Sequence, residues 1–151
     1  MNQQIVIRYS NGSDANALWE LIRDHARYEG HDLSESNQLK LLETQTHSAT
    51  IFVVEVNNII VGYMSLIKQF STWDMRHYVY MDCLYLTPDC RGKGIGKMLL
   101  DKASDYATDQ GLPELQWQTP INNIGAINFY IRNGATSKDK KRFFWTNSET
   151  Q

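Results

Sequence analysis

The 151-residue sequence predicts an α/β fold of the α+β kind, a mixed and mostly antiparallel sheet with helices against its faces. Three observations predict it. Short runs with alternating apolar residues are interspersed with runs of helical period. Two adjacent apolar runs, IFVVEV and IIVGYMSLI, are joined by Asn57-Asn58, and asparagine tolerates the positive φ of a tight hairpin turn. A glycine-rich stretch, CRGKGIGK, stands between an apolar strand pattern and an amphipathic helix pattern. The chain has no repeat, low-complexity tract or linker, so residues 1–151 read as a single domain, long enough for a real core.

Each element has a local reason. IVIRY, Ile5 to Tyr9, alternates as a strand. Ser13 is placed to cap a helix whose apolar positions Ala17, Leu18, Leu21, Ile22 and Ala26 share one face. A second helical stretch is expected through Leu39, Leu41 and Leu42, followed by the hairpin. YVYMDCLYL, Tyr78 to Leu86, is the next strand. After the glycines, Ile95, Met98, Leu99, Ala103, Tyr106 and Ala107 form a helical stripe that Gly111 and Pro113 end. ELQWQT is expected as a strand, NIGAINFYIR as a helix stopped by Asn133-Gly134, and RFFWT as a last strand.

Composition excludes several classes. A net charge of −2 gives no basic field to gather nucleic acid. Cys83 and Cys90 have neither metal-ligand nor disulfide-framework spacing, and the four histidines are scattered, so no metal is expected. No run is long and apolar enough for a membrane span or a secretory leader, and a cytoplasmic protein is the expectation.

Three glycines with an arginine and two lysines before a helix suggest a bound anion. A helix start exposes unpaired N–H groups and a positive dipole end, and glycine lets a ligand come close. The P-loop pattern fails, because Met98 follows Gly96-Lys97 and Arg91 stands where the first glycine belongs. The dinucleotide pattern G-x-G-x-x-G fails too, meeting Lys97 or Leu99 where its last glycine should be. R-x-x-G-x-G fits, as Arg91, Gly94 and Gly96, and N-x-x-A-x-x-F-Y follows as Asn123, Ala126, Phe129 and Tyr130. On these residues the chain resembles the GNAT superfamily of acetyl-CoA-dependent N-acetyltransferases over nearly its whole length. YEG at Tyr28, FSTW at Phe70 and the Tyr80 to Leu86 strand resemble its diamine (spermidine/spermine) acetyltransferase branch.

The resemblance implies a sheet of six to seven strands with about four helices, splayed where acetyl-CoA binds, in a homodimer. It implies a pyrophosphate site from Arg91, Gly92, Lys93, Gly94, Ile95, Gly96 and Lys97. Leu84, Tyr85 and Leu86 would pair with the pantetheine arm, and Asn123, Ala126 and Tyr130 would lie beside it. Tyr130 becomes the general acid for the departing thiolate. Asp82 stands where the superfamily usually has glutamate, and as an acid in an apolar run it is expected to be buried, on the face of Tyr80 and Leu84. A primary amine of pKa about 10.4 is only about 0.04% neutral at pH 7, so Asp82 is assigned to remove its proton, directly or through water. The branch carries a second acid at the next position, where this chain has Cys83.

For the acceptor the resemblance offers Tyr28, Glu29, Asp82 and Gln116, Trp117 and Gln118. Glu29 and Asp32 can attract a cationic amine, and Trp117 or Trp73 can flank its apolar stem. The expected activity is acetyl transfer to a small-molecule amine. A protein lysine or N-terminal acetyltransferase is the alternative within the fold, and a non-catalytic CoA sensor the alternative outside enzymes.

Overall fold

A computed structural model describes residues 3–34 and 49–148. The second helical stretch, with Leu39, Leu41 and Leu42, lies outside the described residues. The chain divides into two compact units, Met1–Trp117 and Gln118–Gln151.

The first unit is built on strands β1 (Ile5–Tyr9), β2 (Thr50–Val56), β3 (Ile59–Ser71), β4 (Arg76–Leu86) and β5 (Leu115–Gln116), in that order across one sheet. All neighbours are antiparallel except β4 and β5, which run parallel. The β2–β3 turn is the expected Asn57-Asn58, with φ of 52° and 68°. Gly62 on β3 marks a close approach, because a Cβ there would stand 2.7 Å from the Tyr85 carbonyl oxygen.

Helix α1 (Ala15–Tyr28) covers one face of the sheet, where Leu18 and Leu21 pack with Val53, Tyr63 and Tyr85. Helix α2 (Ile95–Asp109) belongs to the other core, where Ile95, Leu99, Ala103 and Ala107 meet Phe52, Met64 and Val79. Ala17, expected on the buried stripe of α1, is exposed, and Trp19 is buried instead. The cap before α1 also differs from expectation. Asn11, not Ser13, provides it: its side chain accepts the Ser13 N–H at 3.0 Å, and Asp14 accepts the Asn11 N–H at 2.8 Å. Arg8 on β1 then clamps the buried Asp14 at 2.8 and 2.9 Å and reaches Glu55 on β2 at 2.7 Å. Its guanidinium holds the Asp14 carboxyl below the ordinary range.

In the second unit, helix α3 (Ile124–Arg132) starts at Asn123 and stops at Asn133-Gly134, where Gly134 takes φ of 97°. The described residues hold five strands and three α-helices, against an expectation of six to seven strands. RFFWT is not a strand: a strand needs a ladder partner, these residues have none among those described, and Phe143, Phe144 and Trp145 are exposed. ELQWQT contributes only Leu115 and Gln116, opposite Val79 and Tyr80.

Candidate active site

That short contact positions the site. β5 pairs with β4 only at Val79 and Tyr80, so the strand from Met81 to Leu86 has no ladder neighbour on its β5 side among the described residues. The expected splay is there, and Leu84, Tyr85 and Leu86 lie along it. The Leu86 carbonyl accepts a bond from Arg91 Nε at 3.0 Å.

β4 leads through a turn, Pro88–Cys90, into the glycine loop. Gly92 and Gly94 take φ of 74° and 84°, in the left-handed region, and a Cβ on either would meet nothing within 4 Å. Gly94 is the N-cap of α2 and supplies no side-chain cap, so the first-turn N–H groups of Ile95, Gly96 and Lys97 have no intrahelical acceptor. Open space beside two left-handed glycines, at the positive end of a 15-residue helix, fits a phosphate group. Lys93 is exposed, and Lys97 bridges Asp101 at 3.0 Å. The Arg91 guanidinium lies over the rings of Tyr28 and Tyr85, 5.2 and 5.4 Å from their centroids.

Asp82 departs from its expected setting. The register runs from Leu66↔Met81 to Ser65↔Cys83, so Asp82 is the extra residue of a β-bulge. The bulge breaks the alternation that would set Asp82 with Tyr80 and Leu84. Asp82 is exposed and turns to the side of Cys83, whose Sγ lies 3.6 Å from Asp82 Oδ2. Its charge is felt by His25 and Tyr63 on the α1 face. The Cys83 thiol is pushed up to about 11, by burial first and by the Asp82 charge next, so it stays protonated and is no nucleophile.

Glu29 follows the last turn of α1, and its N–H bonds back to the carbonyls of His25 and Ala26. Its carboxylate stands 3.6 Å from His25 Nε2. Tyr28 is exposed on its outer side, and Asp32 is exposed. Glu29, Asp82, Tyr28 and Arg91 are therefore brought to one region around the free length of β4. Trp117 is half-buried and packs against the α2-face core. Trp73 sits at the β3–β4 turn, almost fully exposed. The Gln116 side chain bonds Glu114 on its own strand segment.

Within the second unit, Gln118 is exposed and Asn123 caps α3, its Oδ1 accepting the Ala126 N–H at 3.3 Å. Tyr130 is half-buried, its ring edge-on to Phe129 at 5.4 Å. Sequence reasoning missed His25. It continues the Leu18, Leu21, Ile22 stripe at helical spacing, a polar residue where an apolar one is expected, and that was the available signal.

Comparison with known proteins agrees with this architecture. The model of the acetyltransferase (GNAT) family matches residues 15–135. An uncharacterized N-acetyltransferase of Bacillus subtilis, YhfO, is 30% identical over 130 residues, 85% of this chain and 87% of that one. Thialysine N-epsilon-acetyltransferase of Bos taurus is 28% identical over 147 residues, 87% of this chain and 84% of that one. An aminoglycoside N-acetyltransferase solved in complex with CoA shares the fold, with a TM-score of 0.79, 16% identity and 97% of each chain covered. Family match, relatives and the splayed strand running into a glycine loop at a helix start agree, and the chain belongs to the GNAT family of N-acetyltransferases.

Proposed function

We propose that the chain transfers the acetyl group of acetyl-CoA to a primary amine of a small molecule, by direct attack of the amine on the thioester. The observation that carries this reading is the Asp82 bulge, which brings a carboxylate to the α1 side of β4 near Glu29, beside the strand's unpaired length. Two acids around one free strand edge suit a cationic amine. Relatives named for acetylating thialysine, a lysine analogue, support a small acceptor.

Acetyl-CoA, when bound, supplies an activated acyl thioester. The chain's own residues do the rest. The N–H groups from Gly92 to Lys97, with Arg91 and Lys93, would hold the pyrophosphate. Leu84, Tyr85 and Leu86 would offer backbone groups to the pantetheine arm, with Asn123 and Ala126 beside it. Asp82 takes a proton from the ammonium, directly or through a water, so that a neutral nucleophile is present where almost none exists in solution. Tyr130 would give its O–H proton at Oη to the departing sulfur, and the proton shed by the attacking nitrogen as the amide forms would restore the phenol. Tyr28, Glu29, Gln116, Trp117 and Gln118 would line the acceptor side. This reading takes residues 1–151 as one catalytic domain, supported by a family match that runs across both compact units. It also carries a homodimer, whose mass sedimentation velocity gives directly. Among the described residues no helix is long and apolar enough to cross a membrane.

The test is an acceptor panel at fixed acetyl-CoA: thialysine, lysine, polyamines, aminoglycosides, and peptides with a free N-terminus or lysine. The expected result is a kcat/KM for at least one small amine well above every peptide. Peptide turnover alone would replace the small-molecule reading with a protein acetyltransferase.

A further inference from the structure

His25 is a polar side chain on the buried stripe of α1, and burial of such a group without partners is costly. Its partners come from three elements. Nδ1 lies 2.6 Å from the Tyr63 hydroxyl on β3. Nε2 faces the Glu29 carboxylate at 3.6 Å, at the end of its own helix. The ring stacks on Tyr85 of β4, with centroids 5.0 Å apart and planes at 24°. The charges of Asp82 on the β4 bulge and Arg91 on the loop also reach it, and Cys83 lies beside Tyr63.

The hydrogen-bonding roles follow from chemistry. A carboxylate only accepts, so the neutral ring carries its proton on Nε2, toward Glu29. Nδ1 then accepts the Tyr63 O–H. Burial first, and the neighbouring Cys83 and acids after it, push the Tyr63 phenol up, so it keeps that proton. The Tyr63 bond to His25 and the stacking on Tyr85 tie the last turn of α1 to β3 and β4, with Nε2 facing Glu29 across 3.6 Å. They therefore fix where Tyr28 and Glu29 stand relative to Asp82.

We propose that His25 is a positioning residue that holds Glu29 at the acceptor site and, once protonated, weakens the hold on a cationic acceptor amine. This rests on the small-amine reading of that site. With a neutral ring, the Glu29 and Asp82 charges that reach it outweigh that of Arg91, a net negative set among the described residues. A protonated ring draws the Glu29 carboxylate to itself and cancels that excess. It also forces Nδ1 to donate, so the Tyr63 O–H turns from the ring toward Cys83. Burial is the largest influence on His25 and lowers its pKa below the ordinary 6.5, against the opposing pull of Glu29 and Asp82. At neutral pH the attracting form is the one present.

The test measures kcat and KM for thialysine against pH, in wild type and in His25→Gln, which keeps a hydrogen-bonding side chain without titrating. In wild type the thialysine KM should rise roughly two- to fivefold as pH falls below about 6.5, the scale of an exposed charge pair. His25→Gln should show a flat acceptor KM over that range with an unchanged KM for acetyl-CoA. The same rise in the variant would overturn the proposal. A readout free of mutation is the His25 imidazole titration by NMR in the wild-type protein, which saturating thialysine should move to lower pH. Turnover of thialysine with an unmoved midpoint would sink the His25 role and leave the transfer reading standing. A moved midpoint without acetylation of any amine would support the His25 role and sink the transfer reading.

Discussion

Asp82 owes its position to one register slip between β3 and β4, and Asp82 is exposed to solvent there. Proton removal from an ammonium should then matter most where the neutral fraction is smallest. Asp82→Asn should depress turnover strongly for amines of high pKa, and spare an acceptor of pKa near 7, which is already about half neutral. Steady-state rates on two such amines check this, and equal losses on both would assign Asp82 to the scaffold. Tyr130→Phe keeps the ring and its contact with Phe129 while removing the O–H. Its kcat should fall by roughly 10²–10⁴-fold, with CoA affinity from calorimetry changed far less. Unchanged kcat with the chemical step rate-limiting would remove the acid role.

Among the elements, the loop from Arg91 to Lys97 and the helix behind it form the unit that the sequence announced most clearly. Gly94→Val should cost about 1–2 kcal/mol of stability from its left-handed φ alone, because no neighbour stands where the side chain would go. That same space is the one assigned to pyrophosphate, so CoA affinity should fall by calorimetry in the folded variant, and an unchanged affinity would withdraw the assignment. The loop was legible because glycine and helix-start chemistry are local. The Asn57-Asn58 hairpin and the end of α2 at Gly111 were legible for the same reason. The bulge at Asp82 was not, since register belongs to two strands and neither states it alone. The packing of Trp117 against the α2-face core was not legible either, because it depends on a neighbouring element and not on its own strand. RFFWT has the aromatic composition of a strand, yet composition cannot supply a partner. His25 could be seen as a break in an apolar stripe, but only the sheet beneath it supplies Tyr63 and Tyr85.

At the scale of the whole molecule, two charged features tie stability to pH. His25 has a folded pKa below its unfolded value, so the unfolded chain binds the proton more tightly. Its share of stability is complete above about 6.5 and is lost as pH falls toward the folded pKa. Asp14, held low by Arg8, contributes stability that is present above about 3.8 and lost as pH falls below it. Thermal melts across this range should therefore fall in two stages, and His25→Gln should remove the first while leaving the second. A single stage common to both proteins would contradict the linkage.

The central claim is acetyl transfer from acetyl-CoA to a small amine by this chain's own residues. Its most direct test incubates the purified protein with acetyl-CoA and thialysine and follows two products together, acetylated thialysine by mass spectrometry and free CoA thiol by titration. The account predicts one acetylated amine for each thiol released, with both abolished or sharply slowed in Tyr130→Phe. Thiol release without acetylated amine across the acceptor panel, or neither product at all, would contradict it.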